Sequence, residues 1–284
     1  MESKAFMNSA KVEGNFVATS ILSKTRKENL SELLDLVQEH TQIDRDLIIS
    51  TAMGMIESRK QNMDLPDSPL KQLETDWYNS LAGGNPDYGV YGRSLYAADI
   101  WGCWVLYSRQ ALKAIQAPLS AISKSIIEEL GQPKNIYDLG CGFGYTTAAI
   151  KEIFPSARVF GTNLEGTWQF KVAQKIGQER GFEVVGKPQT RGDVVFASEY
   201  FEHFNNPIDH AYEVLSIVRP RHIIVANSFN GRAIGHFNTY FHKGAGYSGR
   251  KIGRMFNTSL RWLGYEKIKT KMWNDRPSIW SREK

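Results

Sequence analysis

The stretch Asn135-Ile136-Tyr137-Asp138-Leu139-Gly140-Cys141-Gly142-Phe143-Gly144-Tyr145 limits the folds open to this chain more than any other segment. A short apolar run ends in three alternating glycines, and a helical pattern from Tyr145 to Phe154, stopped by Pro155, follows. Glycine tolerates positive φ and lets backbone approach a ligand closely. The N-terminus of the next helix adds N–H donors and the positive end of a dipole. Strand, glycine turn and helix in that order belong at the carboxyl edge of an open α/β sheet. The downstream texture agrees. Further strands are expected at 157–162, 182–185, 193–198 and 222–226. Helices are expected at 119–130 (closed by Gly131), 167–180 (closed by Gly181) and 207–218, begun by Pro207. Residues 266–271 and 278–280 suit a final hairpin. Strand–helix alternation of this kind predicts a doubly wound, mostly parallel sheet with helices on both faces.

The chemistry of the glycine turn narrows its ligand. Tyr145 stands where a dinucleotide-binding turn needs its third glycine, so that fingerprint fails. Asp138 lies two positions before Gly140, where a carboxylate repels a pyrophosphate but suits a cationic amino acid. S-adenosylmethionine (SAM) fits this requirement, because it carries an ammonium and a sulfonium and no phosphate.

At these residues the chain resembles the class I SAM-dependent methyltransferase superfamily. Asp138, Gly140, Gly142 and Gly144 match its first motif, and Asp193 to Phe204, with Glu202-His203, looks like its fourth-strand motif. Pro207 to Val218 and Arg219-Pro220 match the usual continuation, and the resemblance covers residues 119–230. It implies a Rossmann-like fold, SAM as cofactor, and cofactor contacts at Asp138, Gly140, Cys141, Gly142, Gly144 and Ser198. The family usually holds the ribose hydroxyls with an acid at the end of strand two; here Asn163 takes that place, with Glu165 two residues on. No acid follows strand three, where Gln189 is the one candidate for the adenine. Methyl transfer mainly requires alignment of acceptor and methyl carbon. Where the acceptor also needs a base, Glu199, Glu202 and His203 stand at the end of strand four, and His203 is the first choice because an imidazole titrates near neutrality. The same three residues could instead cap the strand end, and Glu199 could contact the cofactor.

Two domains are expected: a helical N-terminal cap at 1–117, serving the acceptor, and the cofactor-binding domain at 118–284. In the cap, Thr25 to Glu28 fits a capping box, Leu30, Leu33, Leu34 and Val37 recur at helical spacing, and a second helix follows Asp44. Residues 64–69 look like a linker. Eight aromatics crowd residues 77–107, readable either as an aromatic core or as a lid that stacks on a flat acceptor; Trp101 and Trp104 share a helix face.

Charge bears on the acceptor. From Arg219 onward 14 Lys/Arg stand against Glu266, Asp275 and Glu283, a local net of +11, within a chain whose net is +5. Such asymmetry suits a nucleotide or nucleic-acid acceptor, and equally a solvated basic face. The sequence motifs of DNA amino-methylating and cytosine-C5 enzymes are absent. A small-molecule O- or N-methyltransferase therefore stays open, as do transfer of another group from SAM and a non-catalytic binding protein on a decayed site. Asn227 to Asn230 could contact an acceptor. His236 and His242 lack partners at metal-ligand spacing, so no metal is expected. Only two cysteines occur, and neither a membrane-spanning run nor a secretory leader is visible, so a reducing, cytoplasmic setting is expected.

Overall fold

In a computed structural model, the described residues are 35, 38–39, 42–48, 70–93, 96, 111–119, 125–272 and 277–283. The capping box at Thr25, the apolar stripe at 30–37 apart from residue 35, the linker at 64–69 and the Trp101/Trp104 helix face lie outside them. The chain divides into two compact units, Met1–Arg109 and Gln110–Lys284.

In the first unit, helix α1 (Leu70–Ala82) buries Leu73 and Trp77, one turn apart. Trp77 is fully enclosed, with Tyr88 edge-on at 5.6 Å and Tyr91 at 6.4 Å, and Tyr91 meets Tyr96 at 5.0 Å. Arg93 pairs with Asp76 and Asp87, tying the aromatic loop back to α1. Trp77, Tyr88, Tyr91 and Tyr96 thus pack on one another.

The second unit is built on a seven-stranded sheet. Its strands are β1 (Asn135–Leu139), β2 (Arg158–Thr162), β3 (Glu183–Val185), β4 (Val194–Ser198), β5 (His222–Ala226), β8 (Glu266–Ile268) and β9 (Ser278–Ser281). The order is β3-β2-β1-β4-β5-β9-β8, parallel from β3 to β5, with β9 antiparallel to β5 and to β8. Strands β6 (Tyr240–His242) and β7 (Ala245–Tyr247) form a separate hairpin. Helices cover both faces of a parallel sheet, so its central strands are apolar on both sides. Val194, Val195, Phe196 and Ala197 of β4 are all buried accordingly, as are Ile223, Ile224 and Val225 of β5. Asp193 accepts the backbone N–H groups of Lys134 and Asn135 at 2.6 and 3.0 Å, which fixes the start of β1 against β4.

From residue 125 on, the α-helices among the described residues are α2 (Ile126–Leu130), α3 (Tyr145–Ile153), α4 (Trp168–Arg180), α5 (Pro207–Val218) and α6 (Gly249–Trp262). Helix α2 starts later than its apolar pattern suggests. Pro118 bridges to Ser125 and Leu119 to Thr270, and Ser125 with Glu128 closes a capping box at the helix start. Helix α4 is capped by Thr167, whose hydroxyl accepts the Phe170 N–H at 3.2 Å, and is closed by Gly181 at φ 77. Helix α6 was not anticipated. It buries Ile252, Phe256, Ser259 and Leu260 along one stripe and exposes Arg250, Lys251, Arg254 and Arg261. Its basic composition masks an amphipathic period that the spacing of Ile252, Phe256 and Leu260 does carry. Among the described residues no helix is long and apolar enough to cross a membrane.

Candidate functional site

The parallel strands deliver Gly140, Asn163, Gly186, Glu199 and Asn227 to one edge of the sheet, each just past the end of its strand. At the β1 end, Gly140, Gly142 and Gly144 all have positive φ, at 68, 56 and 87°. A Cβ on Gly140 would stand 2.6 Å from Cδ2 of Tyr200, and one on Gly144 would stand 2.6 Å from Cζ of Phe182. Close approach and left-handed backbone therefore both require glycine here. Thr162 holds the turn from β2: its hydroxyl accepts the Gly140 N–H at 3.1 Å and its carbonyl accepts the Cys141 N–H at 2.9 Å.

Asp138 lies under this turn, 3% exposed, and accepts the Thr147 hydroxyl of α3 at 2.6 Å. Burial lifts its carboxyl to about 7, with the Thr147 bond opposing. A buried carboxyl so poised becomes a strong anchor for a cation once ionised. Cys141 packs against Gly161 at the end of β2, and burial, with Asp138 close by, pushes its thiol well up; it is no thiolate. Its contribution to the turn is backbone.

Asn163 is bonded within the turn. Its Nδ2 donates to the Gly142 carbonyl at 2.8 Å and its Oδ1 accepts the Leu164 N–H at 2.8 Å, so the side chain staples the glycine turn to the end of β2. Glu165 is exposed, and its carboxyl sits where a Cβ of Gly186 would fall, at 2.5 Å, spanning the ends of β2 and β3. Of the two, Glu165 presents the carboxylate that a vicinal diol would need. Ser198 ends β4 with its hydroxyl buried and without a hydrogen-bond partner.

Beyond β4 the chain turns sharply. Glu199 has φ 51, uncommon for a residue with a side chain, while its N–H still donates to the Ala226 carbonyl at 2.8 Å. A short 3-10 turn, Phe201–His203, follows. Glu202 is fully enclosed: Oε1 accepts the Ser228 N–H at 2.6 Å, and Oε2 is buried with no hydrogen-bond partner. Burial first, and then the adjacent Glu199 carboxyl, hold Glu202 well above the usual carboxylate range. His203 meets His236 edge-on at 5.1 Å between ring centroids. Loss of solvent, and then His236, push its imidazole down to about 3. It is therefore unprotonated at neutral pH but a weaker base than a free imidazole.

His236 is the residue that sequence reading set aside. It comes from the loop after β5, is 3% exposed, and bonds through Nδ1 to the Gly231 carbonyl at 2.8 Å. Glu199, Glu202 and His236 each place one ligand-capable atom within 4.8 Å of the others. His242 lies apart, bonded to Asp209 at 2.8 Å. Behind the cluster, Tyr240 donates its hydroxyl to the Glu202 carbonyl at 3.2 Å, and Phe256 of α6 packs on Phe201 and Phe229 at 5.0 and 5.6 Å. Only spacing from a distant loop would have revealed this wall.

A family described as "methyltransferase domain" matches residues 107–268, more than half of the chain. No curated protein matches the sequence. Among solved structures, an O-methyltransferase family protein from Burkholderia thailandensis is similar with a TM-score of 0.52 at 11% identity, over 84% of this chain and 72% of that one. The mitomycin 7-O-methyltransferase MmcR is similar with a TM-score of 0.49 at 13% identity, over 90% of this chain and 75% of that one.

Proposed function

This chain belongs to the methyltransferase domain family, and on that premise we propose that it moves the methyl group of SAM to an oxygen of its acceptor. The observation that carries the acceptor reading is the convergence of Glu199, Glu202, His203 and His236 just past β4. These are groups that accept protons or hold cations, as an O–H acceptor requires when its proton must leave. Solved structures with this fold include an O-methyltransferase family protein, which is in keeping with the reading.

The residues present fit the cofactor. Asp138 offers a buried carboxyl to an ammonium, the glycine turn has no room for a Cβ at Gly140 or Gly144, Ser198 brings an unsatisfied hydroxyl, and Glu165 spans two strand ends. When bound, SAM supplies a methyl group on a sulfonium that leaves as a neutral thioether. The chain contributes the rest. Asp138 and the turn seat the amino-acid end, Glu165 takes the ribose, and the cluster past β4 orients the acceptor oxygen and receives its proton. Positioning supplies most of the rate, up to ~7–11 kcal/mol of the barrier in favourable cases.

A pH dependence follows from Asp138. Its carboxyl is raised to about 7 in the free protein, and a bound ammonium stabilises the ionised form. Cofactor binding then releases a proton at pH values below that point. Affinity for S-adenosylhomocysteine is expected to fall as pH drops from 7 to 5, by up to about tenfold per unit. Asp138→Asn flattens the profile and weakens binding at pH 8. Calorimetry across that range reads both, and a flat wild-type profile would remove Asp138 from the site.

A second reading rests on the basic outer face of α6, Arg250, Lys251, Arg254 and Arg261, within the C-terminal stretch of net +11. It makes the acceptor oxygen part of a nucleotide or nucleic acid. Incubation with methyl-labelled SAM, hydroxylated small molecules and oligonucleotides, followed by product mass analysis, separates the two. Base-stable methyl ether products support the oxygen acceptor, and methyl on nitrogen or carbon overturns it. Oligonucleotide binding that weakens steeply with salt favours the second reading.

A further inference from the structure

We propose that Glu199, Glu202 and His236 bind one divalent first-row metal cation, of the manganese type, at the carboxyl end of β4.

Four features support this site. The first is span. The three candidate ligand atoms lie within 4.8 Å of one another. Ligands held about 2.0–2.2 Å from a cation lie at most roughly 4.4 Å apart, so side-chain adjustments of a few tenths of an ångström close the site.

The second is Glu202. Its Oε1 is fixed by the Ser228 N–H, so the carboxyl plane is set, while Oε2 is sealed from water with no N–H donor and with the Glu199 carboxyl as its neighbour. Buried polar atoms are nearly always satisfied, and an unsatisfied carboxylate oxygen is among the costliest to leave. A cation in front of Oε2 removes that cost.

The third is the tautomer of His236. A carbonyl can only accept, so Nδ1 carries the proton donated to Gly231, and the lone pair is on Nε2. An imidazole oriented by a backbone carbonyl through its other nitrogen is the usual arrangement of a metal-ligating histidine.

The fourth is the donor set. Two carboxyl groups and one imidazole, with the proton that burial keeps on Glu202 displaced as the cation binds, offer two negative charges and no thiolate, which suits manganese, iron(II) or zinc better than soft ions. Three protein ligands leave positions for water or an acceptor oxygen. A cation there acts as a Lewis acid, polarising an acceptor hydroxyl so that its proton is lost more easily. That role rests on the oxygen-acceptor reading above. The binding of the metal does not.

The test uses the full chain, with Mn2+ binding followed by electron paramagnetic resonance and S-adenosylhomocysteine binding followed by calorimetry. Wild type is expected to take up one Mn2+, lost on addition of chelator. Glu202→Gln and His236→Ala are each expected to weaken it by more than the roughly 10- to 100-fold that loss of an outer-shell partner costs, with S-adenosylhomocysteine affinity and circular dichroism retained as evidence of folding. Wild-type protein that binds S-adenosylhomocysteine yet shows only the free-ion Mn2+ spectrum at millimolar metal overturns the proposal. So do folded variants that bind Mn2+ as wild type does. Mn2+ uptake that depends on Glu202 and His236, in a protein that methylates no oxygen, supports the metal site and overturns the oxygen-acceptor reading instead.

Discussion

Gly140→Val is expected to lower the affinity for S-adenosylhomocysteine by more than about a hundredfold, for two separable reasons. Gly140 has φ 68, a region that β-branched residues avoid, and a Cβ there meets Tyr200 Cδ2 at 2.6 Å. The turn must open to admit the side chain, and the N–H groups and carbonyls that define it lose their alignment. Gly140→Ala paired with Tyr200→Ala separates the causes. The second change removes the clash but not the backbone strain, so binding recovers only in part. Full recovery would mean that sterics alone hold this position, and calorimetry on the single and double variants reads the difference.

Gly249→Ala is expected to cost about 2–3 kcal/mol of stability, near the upper end of what overpacking ordinarily costs. A Cβ on Gly249 would lie 2.0 Å from the Phe229 carbonyl oxygen and 2.7 Å from its carbonyl carbon, atoms that cannot rotate away. Either α6 slides outward or the loop after β5 gives. Both displace Phe229 from Phe256 and drag Ser228, whose N–H holds Glu202. Transfer activity should therefore fall along with the denaturation midpoint. Gly253→Ala is the control: one turn along the same helix, its nearest neighbour is the side chain of Phe229 at 3.3 Å. It should be close to neutral in both measurements.

The glycine turn was legible in the sequence because its determinants are local. Asp138, the three glycines and the following helix lie within one short stretch, and their spacing states the turn directly. The central parallel strands were readable for a related reason: burial on both faces demands apolar runs, and β4 and β5 have them at 194–197 and 223–226. The cluster past β4 was only partly legible. Glu199, Glu202 and His203 stood out at the end of β4, but His236 lies more than thirty residues on and is brought to them by a loop with no pattern of its own. Asn163 shows another limit. Its position suggested a ribose contact, and only the folded turn reveals its bonds to Gly142 and Leu164. Helix α6 was hidden by charge, since four basic residues and an internal glycine obscure the stripe that packs on Phe201 and Phe229.

The path from β5 to β8 carries the loop of His236, the β6–β7 hairpin and α6 as one uninterrupted excursion, while the glycine turn is held by β1, β2 and α3. The glycine turn and the cluster past β4 are therefore anchored by different stretches of chain, and because Tyr240 of this excursion is bonded to Glu202, a change within it reaches the cluster before it reaches the turn.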